Sequence, residues 1–210
     1  MLALILIFTS SFVIALSGAL MPGPLLTVTI SESSRRGAVA GPLMILGHGI
    51  LELALVLALL AGLAPFFKRE EVFTVIALAG GGILLWMALS MFRSLSQLRL
   101  DLNVREDVPR NLVVAGIVFS LANPYWIIWW ASIGLGYILQ SVQFGILGVG
   151  SFFAGHILAD LAWYAIISFG VAKGSRFFSN TVYRRLIGGC AFFLLLFSSY
   201  FFWSGIEKLV

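Results

Sequence analysis

Six long apolar stretches separated by short polar segments dominate the pattern of this 210-residue sequence. A membrane-spanning helix requires about 20 consecutive apolar residues, and each stretch provides roughly that number. The polar segments between them are too short to form a soluble domain. The pattern therefore predicts an all-α polytopic membrane protein, a single domain over residues 1–210 with six transmembrane helices. The stretches cover residues 3–30, 38–64, 72–92, 112–139, 144–170 and 186–206.

The composition strengthens this prediction. The chain is 60% apolar and 10% charged, whereas soluble domains are about 45 to 50% apolar and about 25% charged. Its 13 basic and 9 acidic side chains could not cover the surface of a globule of this size, which argues against a water-soluble enzyme. The basic residues lie in separate loops and form no continuous stripe, so a nucleic-acid partner is not expected. The single cysteine, Cys190, excludes an intrachain disulfide framework.

The basic residues are unequally distributed between alternate loops. Cytoplasmic loops carry an excess of Lys and Arg, so we place the first, third and fifth loops in the cytoplasm and both termini outside. Those three loops contain Arg35, Arg36, Arg93, Arg99, Arg105, Arg110, Lys173, Arg176, Arg184 and Arg185, whereas the opposite side contains Lys68, Arg69 and Lys208.

One short pattern occurs in both the second and the fifth stretch: a glycine, a histidine and, four residues after the histidine, an acid. Residues four apart share a helix face, so each stretch places an imidazole beside a carboxylate. An ionised carboxylate near the middle of a span costs about 2.5 to 3.5 kcal/mol, which indicates a function. We predict a polar site at the bundle centre, where the acids carry protons and the histidines tune the protonation of the acids. The alternative is that each pair only ties helices together. The residues are Gly47, His48 and Glu52, and then Gly155, His156 and Asp160, each 108 positions after its counterpart.

Proline interrupts the first and the fourth stretch near their middle, at Pro22-Gly23-Pro24 and at Asn123-Pro124. Proline removes an amide donor, and the freed backbone groups are tolerated at this depth only beside protein or a wet cavity. We expect Asn123 to cap a restarting half-helix with Pro124 at its first position, and Gly23 to permit a sharp turn. Such a half-helix would present its partial positive charge to a carboxylate or another anion. The alternative is a pair of ordinary proline kinks.

These matched features divide the chain into two halves, about residues 1–92 and 112–210, joined by a cytoplasmic connector over 93–111. Three helices per half is an odd number, so the halves must have opposite orientations in the membrane. Inverted repeats with broken helices and a site at mid-membrane are typical of secondary transporters.

Aromatic residues follow the second proline break and the second acid. Tyr125, Trp126, Trp129, Trp130 and Tyr164 either line a substrate pocket or face lipid and neighbouring helices. We favour Tyr125 and Tyr164 as pocket residues, because their hydroxyl groups need hydrogen-bond partners.

With these motifs the chain resembles the LysE/RhtB superfamily of small bacterial exporters over essentially its whole length. The resemblance rests on the length, the six helices, Pro22-Gly23-Pro24, the basic turn at Arg35 and Arg36, and Asn123-Pro124. It implies proton-driven export of amino acids through the plasma (inner) membrane of a prokaryote. Many members have lysine after the asparagine and proline, where this chain has Tyr125, so the substrate class stays open.

The superfamily also includes exporters of divalent metal ions. His48, Glu52, His156 and Asp160 would provide nitrogen and oxygen ligands that suit Zn, Mn, Co or Ni, so metal export is the alternative to amino-acid export.

An intramembrane enzyme is a third hypothesis. The chain has no His-Glu-x-x-His pair, no Gly-x-Ser-x-Gly elbow and no phosphate loop, so we do not expect one. We expect a secondary transporter without a cofactor, whose partners are a small-molecule substrate, protons and the lipid bilayer. A homo-oligomer is compatible with the sequence.

Overall fold

The computed structural model describes residues 1–21, 23–63, 70–97, 108–173 and 180–207. Within these ranges we number nine helices, and they confirm the all-α prediction. A π-helical turn at Leu59–Leu63 extends α3, and another at Trp130–Gly134 joins α6 to α7. The helices are α1 Leu2–Ala19, α2 Pro24–Arg36, α3 Ala40–Ala58, α4 Glu70–Ser94, α5 Leu112–Leu121, α6 Pro124–Trp129, α7 Leu135–Val142, α8 Gly145–Ala172 and α9 Asn180–Glu207.

Four helical segments in the described ranges are long and apolar enough to cross a bilayer on their own. They are Leu2–Ala19, Ala40–Gly62, Gly145–Ala172 and Asn180–Glu207. A polytopic membrane fold agrees with this finding, whereas six spans and an inverted repeat stay predictions. The loops used to assign the orientation lie partly outside the described residues, at 64–69, 98–107 and 174–179. The predicted connector over 93–111 contains the second of these ranges.

Both proline motifs interrupt a helix, as predicted. α1 ends at Ala19 and α2 begins at Pro24, while Pro22 lies outside the described residues. In the second motif Asn123 caps α6, because its side-chain oxygen accepts a hydrogen bond from the Tyr125 amide at 3.1 Å. Each interruption therefore starts a new half-helix inside the bundle.

Gly23 differs from the expected turn. Its backbone is extended, with φ −137° and ψ −175°, a conformation that any residue adopts. What position 23 requires is small size, since a Cβ there would lie 3.0 Å from the Asn123 amide nitrogen. The two proline motifs thus contact each other directly.

The packing of the helices follows the two halves of the sequence. The most extensive contacts between the first half and the second half keep the same pattern when the two halves change places. α1 packs along α8, α3 packs against α5, and α4 packs along α9. The broken first helix of each half therefore contacts the histidine-bearing helix of the other half. α2 packs against α3, α5 and α8, and its residues from Val28 to Ser33 are all buried.

The glycine before each histidine allows a neighbouring helix to approach closely. A Cβ on Gly47 would overlap the backbone carbonyl of Val113 in α5, and a Cβ on Gly155 would overlap the carbonyl of Phe8 in α1. Small residues at helix contacts are typical of membrane bundles. These contacts fix the register at which His48 and His156 enter the bundle.

Candidate functional site

The two histidines and two acids of the repeated pattern meet in one place. α3 provides His48 and Glu52, and α8 provides His156 and Asp160. The Nε2 atom of His48 lies 3.0 Å from Glu52 Oε1 and 3.6 Å from Asp160 Oδ2. The Nε2 atom of His156 lies 2.9 Å from Glu52 Oε2 and 3.3 Å from Asp160 Oδ2. All four side chains are buried. We call this group the central cluster.

Two tryptophans hold the Glu52 carboxylate from the α6 side. Trp126 and Trp130 donate their indole N–H groups to Glu52 Oε1 at 3.0 Å and 2.7 Å. Burial of a carboxylate is unfavourable unless it is paired and hydrogen-bonded. The indole donors and the neighbouring imidazoles provide that compensation, and they fix the orientation of the carboxylate.

Aromatic rings surround His156. The ring centroids of Trp129, Trp130 and Phe152 lie 4.7, 5.5 and 5.9 Å from the centroid of its imidazole. Neither ring nitrogen has an aligned hydrogen bond within the described part of the chain, although Nε2 approaches both carboxylates. This leaves the imidazole available to exchange a proton or to bind a ligand.

The central cluster borders a small cavity of about 40 Å³. A water molecule needs roughly 10 to 15 Å³ of such volume, so the cavity can hold a few waters. Typical small-molecule sites measure about 300 to 1,000 Å³. As it stands, the cavity is therefore too small for a typical metabolite.

Three of the seven predicted substrate-binding residues line this cavity. Asn123, Tyr125 and Tyr164 line it together with the central cluster. The Tyr125 hydroxyl also donates a hydrogen bond to the Ser17 carbonyl at 3.0 Å. Gly23 and Pro24 lie at the start of α2, where Gly23 adjoins Asn123, and Pro124 begins α6. The remaining predicted residue, Pro22, lies outside the described residues.

Several polar partners of the site were not assigned from the sequence. The sequence left Trp126 and Trp130 either as pocket walls or as residues facing lipid and neighbouring helices, and nothing in it connected them to Glu52. Ser120, whose hydroxyl lies 2.7 Å from His48 Nδ1, was not singled out. These partners come from the other half of the chain, so only the tertiary fold reveals them.

A third buried acid, Glu32, was also not singled out from the sequence. It lies in α2 with its side chain fully buried, and it pairs with Arg35 at 2.8 Å and with Arg36 at 2.5 Å. Arg36 also donates a hydrogen bond to the Arg110 carbonyl at 2.7 Å, which ties the end of α2 to the segment before α5. The spacing of three and four residues was a usable signal, but the basic turn was interpreted only as a loop.

Comparisons with known proteins agree with this architecture. A family profile described as LysE type translocator matches residues 16–205. The chemotactic transduction protein ChpE of Pseudomonas aeruginosa is 29% identical over 164 residues, covering 75% of this chain and 78% of ChpE. No solved structure matches. The profile covers most of the sequence and includes both proline motifs. It begins inside α1. The chain therefore belongs to the LysE type translocator family.

Proposed function

We propose that the protein is a proton-coupled exporter of amino acids or similar small metabolites. The family establishes a membrane transporter, and the central cluster is the observation that carries the finer proposal. Two imidazoles and two carboxylates share one buried cavity beside two interrupted helices. Ionisable groups at such a depth are costly unless they serve an ion or substrate pathway.

In this proposal Glu52 and Asp160 carry the coupling protons, and His48 and His156 tune the protonation of these two acids. The imidazole nitrogens lie 2.9 to 3.6 Å from the carboxylate oxygens. Proton transfer requires heavy-atom distances of about 2.6 to 3.2 Å, directly or through one water. A proton that enters the cavity can therefore pass between the four side chains after only small movements.

The substrate would bind between the two proline motifs. The starts of α2 and α6 carry partial positive charge, which favours a carboxylate, although the Tyr125 amide at the start of α6 is already capped by Asn123. In this proposal Gly23 and Pro24 lie on one side of the site, and Asn123 and Tyr125 lie on the other. The acids of the central cluster attract an ammonium group, so a zwitterionic amino acid matches both ends. Tyr164 provides a further wall of the cavity.

We also propose six spans arranged as two inverted halves in the plasma (inner) membrane, with both termini outside. The reciprocal packing of α1 on α8 and of α3 on α5 supports the repeat. The excess of Lys and Arg in alternate loops supports the orientation.

Transport into proteoliposomes tests the proposal. A pH gradient should drive uptake of at least one labelled amino acid from a panel of the standard ones. Glu52→Gln and Asp160→Asn should each abolish proton-driven transport, whereas the exposed Glu207→Gln is a matched control that should retain it. Full proton-driven transport in both cluster variants would reject the coupling scheme.

Export of a divalent metal ion is the second candidate. One ligand atom from each of His48, Glu52, His156 and Asp160 lies within 4.8 Å of all the others, and two nitrogens with two oxygens suit a transition metal. In this case Zn, Mn, Co or Ni should raise the melting temperature of the wild-type protein and not that of a His48→Ala, His156→Ala double variant. Absence of any metal-dependent shift in the wild type would eliminate this candidate.

A further inference from the structure

The π-helical turn between α6 and α7 lies beside the central cluster. It begins at Trp130 and ends at Gly134. In a π-turn the backbone hydrogen bond spans five residues, and such turns occur frequently at functional sites. Gly134 follows Trp129 and Trp130 by one turn and lies against both of their rings. Because the same two rings contact the central cluster, the turn belongs to the architecture of the site.

The two neighbouring indoles of this turn bond to different helices. Trp129 donates its N–H group to Ser17 Oγ of α1 at 3.1 Å, and Trp130 donates its N–H group to Glu52 Oε1 of α3 at 2.7 Å. The two ring planes are inclined by 75°, and their centroids lie 4.7 and 5.5 Å from the imidazole of His156. The positions of these rings therefore determine what surrounds Glu52 and His156.

Gly134 provides the space in which both rings lie. A Cβ at this position would be 2.6 Å from Trp130 Cε3 and 2.9 Å from Trp129 Cζ3, which is too close for any real contact. The backbone of Gly134 is ordinary helix, with φ −58° and ψ −45°, so the position requires the absence of a side chain and no special conformation. Both rings are buried and hydrogen-bonded. An added methyl group would therefore move at least one ring at the expense of its hydrogen bond.

We propose that Gly134 is a positioning residue for transport, because the space it leaves lets Trp130 hold Glu52 while Trp129 covers His156. The inference rests on the proposed function, in which Glu52 and His156 take part in proton coupling. Gly134 itself does not line the central cavity. It acts only through the two rings.

NMR resonances of the indole N–H groups test the positioning without measuring transport. The chain has six tryptophans, and single tryptophan-to-phenylalanine variants assign their resonances. Gly134→Ala should shift the resonances of Trp129 and Trp130 and leave that of the exposed Trp86 unchanged. Gly136→Ala is the matched control, since an added Cβ there meets nothing within 4 Å, and it should leave all three in place. Unchanged Trp129 and Trp130 resonances in Gly134→Ala would overturn the proposal.

Uptake into proteoliposomes tests whether these ring positions matter for transport. Gly134→Ala should slow proton-driven amino-acid uptake at least about tenfold, since a misplacement of about 1 Å in a site can cost on the order of a hundredfold. Gly136→Ala should retain the wild-type rate. Shifted indole resonances together with wild-type uptake in Gly134→Ala would refute the positioning role. Absence of proton-driven uptake in the wild type would instead reject the proposed function, and the resonances would still show whether Gly134 positions the rings.

A smaller ring at position 130 distinguishes positioning from general destabilisation. Trp130→Phe removes Cε3, the ring atom nearest to the added methyl group. Gly134→Ala should therefore lower the melting temperature less in the Trp130→Phe background than in the wild type, because residues in contact have non-additive effects. Should Gly134→Ala alone fail to fold, the double variant should recover folded protein. Equal losses in the two backgrounds, or no recovery, would contradict the proposal.

Discussion

The hydroxyl of Ser120 in α5 accepts a hydrogen bond from the Nδ1 atom of His48. Ser120 Oγ lies 2.6 Å from the Gly116 carbonyl oxygen and 2.7 Å from His48 Nδ1. Two oxygens at 2.6 Å require a hydrogen between them, and serine has one hydroxyl hydrogen. Ser120 therefore donates to Gly116 and accepts from His48 Nδ1. Consequently Nε2 of His48 faces Glu52 and Asp160 either as an acceptor or with a second proton. Carboxylate oxygens and an unprotonated Nε2 atom are all acceptors. The central cluster therefore needs either a proton on one of these groups or a cation among them.

The first prediction concerns this hydrogen bond. Ser120→Ala removes the acceptor of the His48 Nδ1 proton, so either tautomer of the ring becomes accessible. Loss of a buried hydrogen bond should lower the free energy of unfolding by about 1 to 3 kcal/mol, and the pH profile of transport should change. Ser199→Ala is the control, because this exposed hydroxyl also bonds to its own helix, at Leu195. Chemical denaturation and pH-dependent uptake measure the two effects. Identical pH profiles for Ser120→Ala and Ser199→Ala would contradict the assigned role.

The second prediction concerns the donors to Glu52. Trp130→Phe and Trp126→Phe keep an aromatic ring but remove one N–H from Glu52 Oε1. A hydrogen bond to a charged group contributes about 1.5 to 3 kcal/mol. We expect Trp130→Phe to have the larger effect, since its bond is shorter and more buried. Trp86→Phe, at a residue that is 69% exposed, should leave stability unchanged. Denaturation curves that do not distinguish Trp130→Phe from Trp86→Phe would refute the assignment.

The third prediction concerns the glycines that precede the histidines. Gly47→Ala and Gly155→Ala force a methyl group against the backbone carbonyls of Val113 and Phe8. Because backbone yields less readily than a side chain, we expect a loss of about 1 to 3 kcal/mol or more. Gly150→Ala is the matched control in α8, with open space around the added Cβ. That change should be neutral or stabilise the helix by up to about 1 kcal/mol. Melting temperatures of the three purified variants provide the comparison, and equal values would show that the close approach is unimportant.

The apolar stretches correctly predicted an all-α chain and the positions of several of its long helices, whereas six spans stay a prediction. The expected stretch over 144–170 corresponds to Gly145–Ala172, and that over 72–92 corresponds to Glu70–Ser94. Asn123 was also identified correctly as a cap, because the chemistry of proline and asparagine is local. Local rules succeed where the determining interactions lie within a few residues.

Contacts between the two halves were beyond such rules. The repeated spacing predicted that His48 lies beside Glu52 and that both pairs belong to one polar site at the bundle centre, but not that His156 approaches the same carboxylate as His48. Similarly, Trp126 and Ser120 became recognisable as partners of the site only once α5 and α6 were placed against α3. These contacts depend on helix packing, which a pattern along one chain segment does not specify.

The last prediction concerns Glu32, the buried acid of α2. Glu32→Gln removes the charge that pairs with Arg35 and Arg36. Breaking a fully buried pair costs about 3 to 5 kcal/mol, but the arginine side chains here are 60% and 34% exposed. Water can therefore solvate them, and we expect a smaller loss of roughly 1 to 3 kcal/mol. Arg35→Gln, at the more exposed partner, should cost less than about 1 kcal/mol. Chemical denaturation at low and high salt measures both. A larger loss from Arg35→Gln than from Glu32→Gln would contradict the assigned importance of the buried carboxylate.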